Sequence, residues 1–200
     1  LDTYIRAEDS RVISEMGNMS IVELLLKGKT TTPVDLVKDL PGNNEAKAEM
    51  IENNLQHEIV RKMSSNSVYY GKMSEMLKKI ILQRKAEAMS YEEYLRQVVE
   101  LAEAILHPET TSNYPDEVKD SAARRALYDY FQNNVELTVD VDNAIRISIQ
   151  PEWKRNFQKQ QRIRLAIYKQ LLAHMYTEDR ATEETNNVFE IVQRQEEYDA

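Results

Sequence analysis

The sequence predicts an all-α fold, an irregular bundle of eight to ten helices, on three observations. Apolar residues recur every three or four positions over most of the chain, as at Ile51, Leu55, Ile59 and Met63. Ser20-Ile-Val-Glu23 and Ser90-Tyr-Glu-Glu93 are capping boxes, in which the hydroxyl and the carboxylate each satisfy an amide at a helix start. Only four Gly and five Pro occur in 200 residues, with no Gly after Gly71, well under the usual combined share of about 12%. Tight turns are therefore too few for a sandwich or barrel.

The helix begun at Ser20 should end at Gly28, and Thr32-Pro33 should start a short one that Pro41-Gly42 closes. A long helix is expected from about Asn44 to Met63. Met73, Met76, Leu77, Ile80 and Ile81 mark the next, and Leu95, Val98, Val99, Ala102, Ile105 and Leu106 one that His107-Pro108 stops. These last two should pair as an antiparallel hairpin, within a helical stretch spanning 44–107. The polar segment Thr110 to Pro115 is the best internal loop and divides the chain into two candidate helical subdomains, 1–109 and 110–200. Ala123, Ala126, Leu127, Tyr130 and Phe131 give a further helix. Val135, Leu137, Val139 and Val141, then Ile145, Ile147 and Ile149, alternate as a hairpin turning at Asp142-Asn143 would, while Leu137, Val141, Ala144 and Ile145 fit a helix equally well. Ile163, Ile167, Leu171 and Met175 define the next helix, and Val188, Ile191 and Val192 a last one after a cap at Thr182. No fixed-period repeat supports a solenoid.

The absence of cysteine excludes disulfides and Cys-ligated metal, and points to a reducing compartment, the cytoplasm. No apolar run approaches the roughly 18 residues of a membrane span. Because the chain opens at Leu1 inside an amphipathic pattern, it is expected to be a piece of something longer.

No catalytic constellation emerges. Gly28-Lys29-Thr30 resembles the end of a phosphate-binding loop, but Glu23 stands where the motif needs glycine. Glu45-Ala-Lys47 and Glu117-Val-Lys119 have the acid-x-Lys spacing of some metal-dependent nucleases, yet lie in helical stretches that read better as solvated faces. His57, His107 and His174 fall on three predicted helices without the i, i+3 or i, i+4 pairing of a metal site, so neither a metal nor another cofactor is expected.

Charge is more informative. Residues 153–177 hold Lys154, Arg155, Lys159, Arg162, Arg164 and Lys169 and no acid, leaving −14 on the remainder of a chain of net charge −8. At 100° per residue, Arg155, Lys159, Arg162 and Lys169 form an exposed stripe, suited to DNA phosphates or a partner protein. The competing explanation is internal neutralisation, because 178–200 carry eight acids and two arginines. Arg164 projects among Ile167, Leu171 and Met175 and is expected to be a buried charge paired with a carboxylate or with helix-end carbonyls.

Tyr69-Tyr-Gly-Lys-Met-Ser-Glu-Met76, Tyr91-Glu-Glu-Tyr-Leu95, Val99-Glu-Leu101, Arg125-Ala-Leu-Tyr-Asp129, Trp153-Lys-Arg-Asn156, the closing Phe189 to Tyr198 and the opening Leu1-Asp-Thr-Tyr-Ile-Arg6, taken in order, resemble the C-terminal helical region of type I restriction enzyme R subunits. The resemblance covers nearly the whole chain, and it favours helix over hairpin at Val135 to Ile149. It implies a non-catalytic part of an ATP-dependent DNA translocase and endonuclease, whose nuclease and motor domains lie upstream and use ATP and Mg²⁺. The implied partners are the methyltransferase (modification) and specificity subunits, with DNA held by the full complex and no membrane involved. The chain departs from the family at Trp153-Lys154-Arg155-Asn156, where Trp-Arg-Gly-Asn is expected. Three roles follow: a docking module for the motor, a DNA-contacting module using the basic stripe, or an unrelated helical enzyme built on the histidines.

Overall fold

The computed structural model describes residues 37, 38 and 40–199. The capping box at Ser20, Gly28-Lys29-Thr30 and Thr32-Pro33 lie outside the described residues. Among those described, the chain forms nine α-helices, two 3-10 turns and no strand.

Three long helices build the first core. They are α1 (Asn44–Lys62), α2 (Ser67–Lys85) and α3 (Tyr91–Leu106). Each starts on a side-chain cap: Asn43 accepts from the Ala46 amide, Asn66 from Tyr69 and Ser90 from Glu93. Gly42, at φ 96°, must be glycine, because a Cβ there would sit 2.9 Å from that of Ala46. Arg84, near the end of α2, reaches Glu45 and Glu52 near the start of α1, while Tyr94 of α3 donates to the Ala48 carbonyl of α1 at 3.2 Å. The helices therefore run up, down and up, and the expected α2–α3 hairpin becomes two sides of a three-helix unit. Ile51, Leu55 and Ile59 of α1 meet Leu77 of α2 and Leu95, Val98 and Ile105 of α3, all buried. Each such side chain contributes roughly 1.5–3 kcal/mol. Glu52 is buried and Arg84 nearly so, and they pair through two hydrogen bonds of 2.7 and 3.3 Å.

Pro108 stops α3 and opens a single helical turn, α4 (Pro108–Thr111), so Thr110 and Thr111 belong to a helix rather than to the expected loop. A second turn, α5 (Asp116–Lys119), leads into α6 (Ala122–Tyr130) and then α7 (Val135–Ser148), α8 (Phe157–Ala173) and α9 (Glu178–Arg194). The ambiguous stretch 135–148 is thus helical, with Asn134 capping it and Leu137, Val141 and Ile145 buried. Trp153, in a 3-10 turn (Trp153–Arg155), is buried with Phe189 of α9, and Ile163, Ile167 and Leu171 of α8 complete this second core. The left-handed residue beside the turn is Glu152, at φ 59°, and Arg155 is not left-handed, so arginine at the position where the resemblance leads one to expect glycine carries no such strain.

Asp142 ties this half together. Wholly buried on α7, it accepts from Arg124 of α6 at 2.6 Å, from Arg146 at 2.9 Å and from the Tyr198 hydroxyl at 2.7 Å. Tyr198 lies in the closing 3-10 turn (Glu196–Tyr198). Its carbonyl accepts from the Trp153 indole at 2.7 Å, and burial followed by the nearby Asp142 charge pushes its phenol pKa far up. Glu197 in the same turn crosses to α6, accepting from the Ser121 hydroxyl and the Ala122 amide at 2.5 Å each and from Arg146 at 3.0 Å. Burial raises the Glu197 pKa, but these hydrogen bonds outweigh it and hold the carboxyl below its usual value.

The two cores join through polar contacts and through the Tyr114 ring, 6.3 Å from that of Tyr69 and 5.9 Å from that of Tyr128. Asn66, besides capping α2, donates to Asp129 of α6 at 2.6 Å, and Tyr114 donates to the same carboxylate oxygen at 2.6 Å. Gln195 donates to the Ser65 carbonyl at 2.7 Å. Two expectations are corrected here. The cap of α9 is Thr177, with Thr182 one turn inside and donating to the Glu178 carbonyl, because Glu178 and Asp179 already occupy the first turn. Met175 lies past the end of α8 at φ 66° and is 91% exposed, so it is no part of the apolar face.

Asp142→Ala is expected to cost about 3–5 kcal/mol in urea unfolding, since it leaves two guanidinium groups and a buried phenol without their acceptor. Tyr198→Phe should cost about 1 kcal/mol. The lowered Glu197 pKa makes its contribution complete above the unfolded value near 4.5 and lost as pH falls through the folded value. Thermal melts from pH 6 to pH 3 should therefore show a smaller loss of stability in Glu197→Gln than in the wild type. Space is open around Gly71 within α2, so Gly71→Ala should stabilise by about 1 kcal/mol.

Candidate functional site

The region that stands out electrostatically is α8 with the turn before it. Asn156 caps α8 by accepting from the Lys159 amide at 3.1 Å, which fixes where the helix begins and which faces its cations take. Arg155 precedes the helix, in the 3-10 turn, so the four-residue stripe expected on one helix is three residues on α8 and one ahead of it. Lys159 is half-buried and its ammonium donates to the Pro151 carbonyl at 2.7 Å, bracing the turn. Arg155, Arg162 and Lys169 are exposed, and none forms an ion pair or hydrogen bond through its side chain among the described residues. Three of the four predicted residues thus remain available, and Lys159 is committed to the scaffold.

The acidic tail does not neutralise them. Four of its eight acids are engaged elsewhere, Glu197 on the start of α6, Glu184 on the Tyr130 hydroxyl, Glu190 beside Arg194 and Asp199 on Lys154, and none of the eight pairs with Arg155, Arg162 or Lys169. Internal neutralisation therefore accounts for Lys154 and not for the stripe.

Arg164 is not the carboxylate-paired buried charge the sequence suggested. It is half-buried, lies 3.9 Å over the Phe189 ring and donates to the Asn186 side-chain oxygen at 2.5 Å. The position is at the border of the buried face where α9 crosses, so the guanidinium packs its plane on an aromatic ring and keeps an edge in water. A neutral acceptor suffices because the charge is never fully desolvated.

Apolar side chains accompany the free cations. Phe157 and Leu165 of α8 are 67% and 53% exposed, and Ile147 on the last turn of α7 is 79% exposed. Phe157 and Leu165 fall outside the periodic apolar sets of the sequence, and Ile147 enters them only through the strand-like alternation of Ile145, Ile147 and Ile149. The signal was available, since on the helical wheel Phe157 and Leu165 lie away from Ile163 and Ile167.

The other candidates are structural. The three histidines do not converge: His57 and His107 are exposed, and His174 sits 2.9 Å from Asp140 of α7. Among the described residues no three His, Asp or Glu side chains are grouped to hold a metal ion. Glu45 holds Arg84, Lys47 donates to the Val37 carbonyl at 2.8 Å, and Lys119 pairs with Asp116, so neither acid-x-Lys triplet aims two carboxylates at one point. A concavity of about 450 Å³ is an open groove between α2 and α3 floored by Met76, Ile80, Leu101 and Ala104. No helix among the described residues is long and apolar enough to cross a membrane.

No family model, curated protein or solved structure matches this chain.

Arg164→Ala should cost about 1–2 kcal/mol rather than the larger amount a broken buried pair would. Arg162→Ala and Lys169→Ala should each change stability by less than about 0.5 kcal/mol. Chemical denaturation of the three variants in parallel checks both.

Proposed function

We propose that this chain is the C-terminal helical domain of the R subunit of a type I restriction–modification enzyme, acting as a non-catalytic cytoplasmic module that docks the DNA-translocating motor onto the methyltransferase and specificity subunits. The ordered sequence resemblance supplies the family. The observation that carries the docking role is the set of unpaired cations, Arg155, Arg162 and Lys169, presented beside exposed Phe157 and Leu165. A pulling motor needs an anchor where the target site is held, and a rigid helical body serves that need. ATP and Mg²⁺ belong to the upstream motor and nuclease domains in this reading.

A DNA-contacting role is the alternative, favoured by the same three cations. Salt separates the two, because each neutralised phosphate contributes a slope near −0.9 to the dependence of affinity on salt, whereas a mixed apolar and charged protein interface gives less. An enzyme built on the histidines has lost its premise with their dispersal.

The isolated chain is expected to bind a type I methyltransferase complex purified without DNA, measured by co-elution in size-exclusion chromatography. Binding only after DNA is added replaces docking with the DNA role. Purified chain is also expected to show no DNA-stimulated ATPase and no DNA cleavage, and measurable turnover in either assay overturns the non-catalytic assignment.

A further inference from the structure

The third, uncovered side of α8 is amphipathic in its own right. Phe157, Gln161 and Leu165 lie within an arc of about 80° and extend over about 12 Å of helix, while Tyr168 and Leu172 on the same arc pack partly against the second core. Phe157 and Leu165 are more than half exposed, Gln161 is exposed and Leu172 partly so. Arg162 and Lys169 flank one edge of this stripe, Arg155 stands at its N-terminal end, and Ile147 is at the same end of the α7–α8 pair as Phe157. The inner sides of α8 are already taken by α7 and α9, through the Asp140–His174 contact and the packing of Arg164 on Phe189.

We propose that this outer face of α8 is the docking surface for an acidic amphipathic helix of a partner protein. The inference deepens the docking role above and rests on its premise of a protein partner. Charge complementarity identifies the occupant: the face carries three unpaired cations and no acid occurs anywhere from 153 to 177. The apolar stripe separates a helix from nucleic acid, since a phosphate backbone has nothing to place against Phe157 and Leu165, whereas leucines at helical spacing pack there at the usual separation of 8–10 Å. Carboxylates flanking those leucines then meet Arg155, Arg162 and Lys169. The apolar centre supplies the affinity and the charged edge the orientation.

The test uses the full 200-residue chain and three probes: a synthetic amphipathic helix with leucines on one face and glutamates elsewhere, its lysine-bearing counterpart, and a DNA duplex of similar length. Fluorescence anisotropy should show binding of the acidic helix. Phe157→Ser with Leu165→Ser should weaken it at least about tenfold, as should Arg162→Glu with Lys169→Glu, and the latter variant should gain affinity for the lysine-bearing helix. These positions are exposed, and unchanged circular dichroism and melting temperature confirm folding. Failure of the acidic helix to bind, affinity unaffected by both pairs of substitutions, or preferential binding of the duplex overturns the proposal. The same variants tested on the methyltransferase complex keep the two readings apart. If the acidic helix binds α8 and the complex does not bind at all, the surface stands and the restriction-enzyme role falls; if the complex binds equally to every variant, the role stands and the surface falls.

Discussion

A single carboxylate without contact with water organises the second half of this molecule. Asp142 is wholly buried, and its three partners come from α6, from α7 itself and from the final turn. Removing an ionised carboxylate from water is costly, and only the combination of two guanidinium groups and a phenol offsets that cost. The requirement runs both ways. The closing turn has little apolar surface besides Tyr198 to hold it, so it is the hydrogen bonds to Asp142, Trp153 and the start of α6 that place Glu196–Tyr198 across the bundle. The placement of α6 and of the closing turn against α7 follows from the same point.

The first core solves a similar problem differently. Arg84 and Glu52 form a buried pair at one end of a three-helix unit that is otherwise apolar, and Glu45 supplies a third, exposed charge. Here the ionic group sits at the edge of the core rather than at its centre. The apolar contacts of Ile51, Leu55, Ile59, Leu77, Leu95 and Ile105 set the packing, and the pair fixes which helix ends meet.

Much of the fold was legible in the sequence because caps and apolar spacing act locally. Ser90 marked the start of α3, His107-Pro108 its end, and the four-residue recurrence from Ile51 the face of α1. The stretch 135–149 was not legible from its own residues. Its β-branched alternation includes Ile147, which is exposed, while Asp142, which looked like a turn residue, is the buried node; beside Arg146 one turn on, it needs partners 18 and 56 positions away. The candidate surface divides the same way. A run of cations without acids can be read from the chain, but which of them remain unpaired depends on the rotation of α9 and the path of the closing turn. Thr177 rather than Thr182 begins α9, and Glu184, Glu197 and Asp199 face Tyr130, α6 and Lys154 instead of the stripe.

The seam between the two cores has a mechanical character of its own. Asn66 and Tyr114 converge on one oxygen of Asp129, and Gln195 reaches the Ser65 carbonyl. Hydrogen bonds are directional and weaken steeply once distance and angle leave a narrow range, whereas apolar burial declines gradually with the area uncovered. Separation of the two halves would therefore lose those hydrogen bonds over a short displacement, while the ring contacts of Tyr114 with Tyr69 and Tyr128, at 6.3 and 5.9 Å between centroids, would yield more gradually.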